Sequence, residues 1–274
     1  TTEVENYPGF DEGIQGPELM NVFRNQAQRF GAKSIYETVT KVDFSERPFQ
    51  MWTDADKHYT ADAVIISTGA SARTLKGTKG HEDYWGRGIS ACATCDGFFY
   101  KDKKIFVVGG GDSAMEEAQF LTHFGESVTV VHRRQEFRAS KIMVERSKKN
   151  KKIEFMLDSV VDEFKGEIVN GFPTLTSIAV KNVHNGEIKN VPADGVFLAI
   201  GHDPNTAIFK NILDMDDEGY LITKPDSTHT KIPGVFAAGD VKDKTYRQAV
   251  TAAGMGCMAA IDAERWLMEE GISE

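Results

Sequence analysis

Lys104-Ile105-Phe106-Val107-Val108-Gly109-Gly110-Gly111-Asp112-Ser113-Ala114 is the stretch whose reading decides the fold. A short apolar strand runs into a glycine turn. The pattern after it predicts a helix from about Ser113 to Phe124, ended by Gly125. Val128 to Val131 is the next strand. Strand, helix, strand in that order makes a β-α-β unit and calls for a parallel sheet. Gly109-x-Gly111-x-x-Ala114 also matches the dinucleotide fingerprint. The first glycine allows the tight turn, the second lets backbone approach a pyrophosphate, and the small third residue lets helix and strand pack closely. Free N–H groups and the dipole of the helix N-terminus favour phosphate there. The alternative is a structural turn with no ligand.

The end of the following strand selects the nucleotide. An NAD site carries Asp or Glu about 20 residues on, whereas this chain has His132-Arg133-Arg134, with Arg138 close behind. Guanidinium forks suit a 2′-phosphate. The candidate NADPH residues are therefore Gly109, Gly111, Asp112, Ser113, Ala114, His132, Arg133, Arg134 and Arg138. Residues 133–152 hold nine Lys or Arg against two Glu, so a solvated basic face, or one that attracts an acidic partner, is the competing reading.

Fourteen residues before the turn stands Cys92-Ala93-Thr94-Cys95-Asp96. A C-x-x-C pair is a redox dithiol, half of a zinc site, or two buried thiols. Structural zinc needs four ligands, and the chain has only three cysteines. A redox pair needs a thiolate and a means of moving protons on and off sulfur. Asp96 is placed to act as that acid/base, or else it caps a turn with Gly97. Passing electrons from a nicotinamide to a disulfide calls for an adaptor, usually flavin. Gly239-Asp240 at a strand end, with Tyr246-Arg247-Gln248-Ala249 opening a helix, is a candidate flavin site or an ordinary strand exit. Cys257 reads as a small buried helix residue.

Elsewhere Pro17 opens a helix that Gly31 stops. Ile35 to Phe44, Phe49 to Trp52, Ala63 to Ile66, Val196 to Ile200 and Val235 to Ala238 read as strands, as does much of 153–200. His184-Asn185-Gly186-Glu187 reads as a hairpin turn with two positive-φ residues at its centre, and Gln248 to Leu267 as a helix. The net charge of −9 argues against wholesale binding to nucleic acid or anionic membrane. No apolar run reaches the roughly 20 residues of a membrane span, and no signal peptide opens the chain. A cytoplasmic protein is expected.

Together these residues carry a resemblance. The chain resembles the bacterial-type, low-molecular-weight thioredoxin reductases in Thr1-Thr2-Glu3-Val4-Glu5-Asn6, Thr68-Gly69-Ala70, Ala91 to Phe98, Gly109 to Ala114, His132-Arg133-Arg134 with Arg138, and Thr230 to Ala249. The resemblance implies an α/β fold of two Rossmann-like nucleotide-binding domains, of the class II pyridine nucleotide-disulfide oxidoreductases. An FAD domain over 1–72 and 203–274 would be interrupted by an NADPH domain over 73–202 that carries the dithiol. It also implies a homodimer that passes electrons from NADPH through FAD to Cys92–Cys95 and on to thioredoxin. Cys95 would face the flavin, Cys92 would attack the thioredoxin disulfide, and Asp96 would be the acid/base. The NADPH domain would rotate so that nicotinamide and dithiol take turns at the flavin. Asn6, Thr68, Gly69, Gly239, Asp240, Arg247, Gln248 and Ala249 match flavin-side positions. Family members open with a further strand and G-x-G-x-x-G turn for the FAD pyrophosphate, which this sequence lacks. An N-terminally truncated reductase with weak or absent FAD binding is the expectation. The rivals are a peroxiredoxin-linked flavoprotein disulfide reductase and a non-catalytic NADPH-binding module.

Overall fold

The Lys104–Val108 strand lies at the centre of a five-stranded, fully parallel sheet in a computed structural model that describes residues 3–272. The order across the sheet is Ile153–Met156, Ser127–Val131, Lys104–Val108, Gly195–Leu198, Ile89–Ser90. Alternation along each strand divides the core in two. Ile105, Val107, Val128, Val130 and Phe197 point to one face, against Ala114, Met115, Ala118 and Leu121 of the Asp112–Leu121 helix. Phe106, Val108, Val131, Val196 and Leu198 point to the other, against Phe164, Leu175, Ile178 and Val180. Those last four come from an antiparallel sheet of Ser159–Val169, Phe172–Asn182 and Ile188–Pro192. With both faces covered, the parallel strands can be apolar throughout.

The chain divides into two compact units, with crossings at Ser71/Ala72 and Gly201/His202. The first holds Ala72–Gly201, Glu12–Pro17 and the chain up to Asn6. The second holds Tyr7–Asp11, Glu18–Ser71 and the chain from His202 onward. In the second unit Val64–Ile66 pairs in parallel with Val235–Ala237. The 21-residue helix Ala249–Glu269 packs Ala259, Ala263 and Trp266 onto Phe236 and Ala238. A three-stranded antiparallel sheet of Val39–Asp43, Phe49–Thr53 and His58–Ala61 completes this unit. Among the described residues no helix is long and apolar enough to cross a membrane. Thr1 and Thr2, part of one matching stretch, lie outside the described residues.

Several local expectations are corrected. The first strand of the antiparallel sheet starts at Val39, not Ile35, because Ile35 and Tyr36 are exposed and ladder pairing begins at Val39. The Asn182-to-Ile188 connection is longer than a two-residue turn. Gly186 takes φ +73°, but Asn185 is not left-handed, and Asn182 Oδ1 accepts the N–H groups of His184 and Asn185. The basic stretch contains a helix, Lys141–Lys149, capped by neither a side chain nor an acidic first turn. Cys257 lies in its helix as expected but is exposed. The buried stripe of that helix runs through Ala259, Ala263 and Trp266 and leaves Cys257 on another face.

Phe197 is fully buried and meets the Tyr100 ring edge-on at 5.3 Å. Phe197→Ala should lower the free energy of unfolding by about 3–5 kcal/mol. The test is a urea titration, in which the midpoint falls while the slope is kept.

Candidate functional site

The C-terminal ends of the parallel strands carry the candidate groups of the first unit. After Val108 the main chain passes so close to its neighbours that side chains are excluded. A Cβ on Gly109 would meet the Ala199 carbonyl oxygen at 2.4 Å and the Ala114 Cβ at 2.8 Å. A Cβ on Gly110 would meet the His132 ring at 2.2 Å, whereas one on Gly111 would meet nothing within 4 Å. None of the three has positive φ, so close approach, not backbone handedness, explains the glycines. The open side of Gly111 at the N-terminus of Asp112–Leu121 is the cradle that a pyrophosphate requires, and the turn fits a dinucleotide. Ser113 and the fully buried Ala114 follow in the first turn of that helix.

The loop after Ser127–Val131 is tied to this turn. The Gly110 carbonyl accepts the N–H groups of Arg138 at 2.8 Å and Ala139 at 3.1 Å. Asp112 Oδ1 accepts the Ser140 N–H at 2.9 Å. Arg133, Arg134 and Arg138 are exposed, and none makes an ion pair among the described residues. His132 differs from them: it is buried, stacked on Phe137, and its Nε2 lies 3.0 Å from the Glu136 carbonyl oxygen. Its ring supports the loop that presents the arginines. Gly110 escaped the motif reading because the fingerprint leaves its position free.

The dithiol is a disulfide, Cys92–Cys95, with S–S 2.06 Å. It staples the first residues of a single turn, Ala93–Asp96, that begins three residues after Ile89–Ser90 ends. Asp96 makes no side-chain cap, so the turn-capping alternative fails. Its Oδ2 instead accepts the Ser90 hydroxyl at 2.6 Å, and the same Ser90 oxygen accepts the Cys92 N–H at 3.0 Å. Asp96 also lines an open cavity of about 480 Å³ with Arg87, Phe99, Tyr100, Lys103 and Asp194 among others. Burial pushes the Tyr100 phenol up to about 12, and the nearby charges of Asp96 and Asp194 add to the shift. Tyr100 is therefore a neutral neighbour of Asp96 across the physiological range.

In the second unit Gly239, at φ +74°, turns the chain out of Val235–Ala237 into a 3-10 turn. Burial pushes the Asp240 carboxyl up, the neighbouring Asp243 charge adds to this, and Arg247 opposes it. Asp243, buried and missed by the motif reading, shapes the loop. Its oxygens accept the N–H groups of Thr245, Tyr246 and Arg247 at 2.9–3.0 Å. Its signal was an Asp followed by polar residues just before a helix, the pattern of an Asx turn. Arg247 is held at φ +48° and donates to the Lys244 carbonyl at 2.7 Å. Gln248 caps the helix in a reciprocal pair with Thr251, and Ala249 is its first residue. Its exposed N-terminus, next to a half-buried carboxylate, fits the polar edge of a flavin. Thr68 and Gly69 are clamped by Asn205, a second missed residue. Thr68 Oγ1 donates to the Asn205 carbonyl at 2.8 Å, and Asn205 Nδ2 donates to the Thr68 carbonyl at 2.9 Å. Asn6 falls in the first unit.

The pyridine nucleotide-disulphide oxidoreductase family profile matches residues 1–256. The chain is 52% identical to a thioredoxin reductase of Rickettsia conorii, over 97% of this chain and 85% of that protein. It is likewise 52% identical to thioredoxin reductase 2 of Arabidopsis thaliana, over 100% of this chain and 72% of that one. Its structure is similar to that of a thioredoxin reductase from Giardia duodenalis. The TM-score is 0.90 at 45% identity, with 97% of this chain and 85% of that chain covered.

The raised Tyr100 value gives a sign for alkaline stability. Stability tied to the neutral phenol is fully present below pH about 10 and is lost as pH rises toward about 12. Tyr100→Phe should remove that part of the alkaline loss, read as a flatter dependence of Tm on pH in this window.

Proposed function

The chain belongs to the pyridine nucleotide-disulphide oxidoreductase family, with thioredoxin reductases as its relatives, and from that premise we propose that it is an NADPH-dependent thioredoxin-disulfide reductase. The observation that carries the reading is the arrangement within the first unit. One edge of one parallel sheet bears a closed C-x-x-C disulfide with a tethered carboxylate, and a glycine turn with free arginines beside it. The first unit is the NADPH unit in this reading, and the second, with residues from both sides of the first in sequence, is the FAD unit.

Gly109, Gly111, Asp112, Ser113 and Ala114 would hold the NADPH pyrophosphate at the helix N-terminus, and Arg133, Arg134 and Arg138 would grip the 2′-phosphate, on a loop supported by His132. Thr68, Gly69, Gly239, Asp240, Arg247, Gln248 and Ala249, all in the second unit, would line FAD. When bound, the flavin supplies the conversion between hydride and thiol chemistry. Cys95 would be the sulfur on the flavin side. Cys92 attacks the thioredoxin disulfide, and Asp96 moves the proton that thiol–disulfide exchange requires. A homodimeric, cytoplasmic enzyme belongs to the same reading, supported by the family resemblance.

Cys92→Ser or Cys95→Ser should reduce NADPH-dependent thioredoxin reduction to background while NADPH binding stays at the parent affinity. Parent-rate reduction by either variant would overturn the dithiol assignment. Replacing Arg133, Arg134 and Arg138 with Ala should weaken NADPH by at least about tenfold, from the loss of charged hydrogen bonds. NADH, which lacks the phosphate, should be almost unaffected. Equal losses for the two nucleotides would count against the phosphate grip.

A further inference from the structure

We propose that Ser90 is a positioning residue for proton transfer at the dithiol, holding the Asp96 carboxyl group against the C-x-x-C turn whether the disulfide is closed or open. This inference rests on the reading of Asp96 as the acid/base.

Ser90 is the last residue of the Ile89–Ser90 strand, which is in parallel register with the buried Gly195–Leu198 strand, Phe197 opposite Ser90. Its backbone is therefore fixed by the sheet, and the residue is only 6% exposed. The turn that it serves has little of its own to hold it. Ala93–Asp96 is four residues long, has no side-chain cap, and closes with the Asp96 N–H to Cys92 carbonyl bond of 3.1 Å and a Gly97 N–H to Ala93 carbonyl bond. The single Ser90 oxygen ties both ends of that turn. It accepts the Cys92 N–H at the start and donates to Asp96 Oδ2 at the end. A hydroxyl has one proton to give. The Cys92 carbonyl, at 3.5 Å, is a poor competitor for it against the carboxylate at 2.6 Å. Both bonds leave the sulfurs untouched. When reduction removes the covalent staple between Cys92 and Cys95, the Ser90 bridge still holds the carboxyl group at the thiols.

The chemistry explains why this placement matters. In the transfer step the Cys92 thiolate attacks one sulfur of the protein disulfide. A Cys92–S bond forms, the S–S bond of the substrate breaks, and the departing thiolate takes a proton from the Asp96 carboxyl group. Cys95 then attacks the Cys92 sulfur: the internal disulfide forms, the Cys92–substrate bond breaks, and the Cys95 proton passes to the second substrate sulfur as it leaves. The two electrons come from the dithiol. Asp96 returns as a carboxylate to the Ser90 hydroxyl, a charge-assisted acceptor of the kind that makes short, strong bonds. On its other side the carboxyl group borders the cavity, where Glu3, Arg87, Tyr100, Lys103 and Asp194 are the titratable and charged groups facing it. The cavity is open, which gives the carboxyl group a route to bulk protons.

The test uses the full chain, reduced chemically and freed of reductant, mixed with oxidised thioredoxin in a single turnover at a series of pH values. Acid quench and thiol alkylation report the transfer without either cofactor. Ser90→Ala should slow the step about tenfold or more, a fraction of the 10²–10⁴ that a positioned acid contributes. Ser90→Thr, which keeps the hydroxyl, should restore the rate. The double variant Ser90→Ala with Asp96→Asn should be no slower than Asp96→Asn alone. If Ser90→Ala adds its full effect to Asp96→Asn and Ser90→Thr does not restore the rate, Ser90 is merely structural and the proposal fails. If Asp96→Asn is slow but a folded Ser90→Ala matches the parent, the proposal fails and the acid/base reading stands. If Asp96→Asn itself transfers at the parent rate throughout, the acid/base reading fails and takes this proposal with it.

Discussion

The Ala199 carbonyl stands so close to Gly109 that any side chain there would sit at 2.4 Å from it. That steric constraint organises the first unit. It brings the end of the central strand against its neighbour, places the N-terminus of Asp112–Leu121 at the edge of the sheet, and presses Ala114 into the core. One residue on, Gly110 lies on the His132 ring and offers its carbonyl to two N–H groups of the arginine loop. The loop that would choose the nucleotide is therefore built onto the turn that would bind it. The sheet supplies this at no extra cost, because parallel strands end on the same side and present their following loops together.

The same edge carries the dithiol, and the two centres use the same device. At each, a group fixed by the sheet satisfies polar groups of a segment that could not hold its own shape. Gly110 does this with a carbonyl and Ser90 with a hydroxyl. In the second unit Asp243 does it with a carboxylate that gathers three successive N–H groups. Orphan donors in irregular backbone are costly when withdrawn from water. Each hub offsets that cost and sets a geometry at once.

What could be read from the chain beforehand follows from how local each signal is. The glycine turn, the C-x-x-C-D sequence, the arginines after Val131 and the helix from Ala249 onward declare themselves within about a dozen residues. The parallel sheet follows from the β-α-β order. Ser90, Asn205 and Gly110 were not legible, because each matters only through a partner brought to it by folding. Asn205 meets Thr68 across 137 positions. Lys141–Lys149 was hidden by composition, since its charges blur the apolar stripe that marks a helix. Cys257 was misjudged for a related reason: a helix rich in Ala and Gly has no contrast by which to tell its buried side from its open one.

The exposure of Cys257 has a practical corollary. The chain has three cysteines, and with Cys92 and Cys95 joined, only Cys257 remains a thiol. A thiol-specific reagent then adds one mass increment to the oxidised chain and three to the fully reduced, unfolded one. The redox state becomes an integer on a mass spectrum. In the oxidised state the same chemistry attaches a single reporter dye to a known helix of the second unit, far in sequence from the sulfurs whose state is being counted.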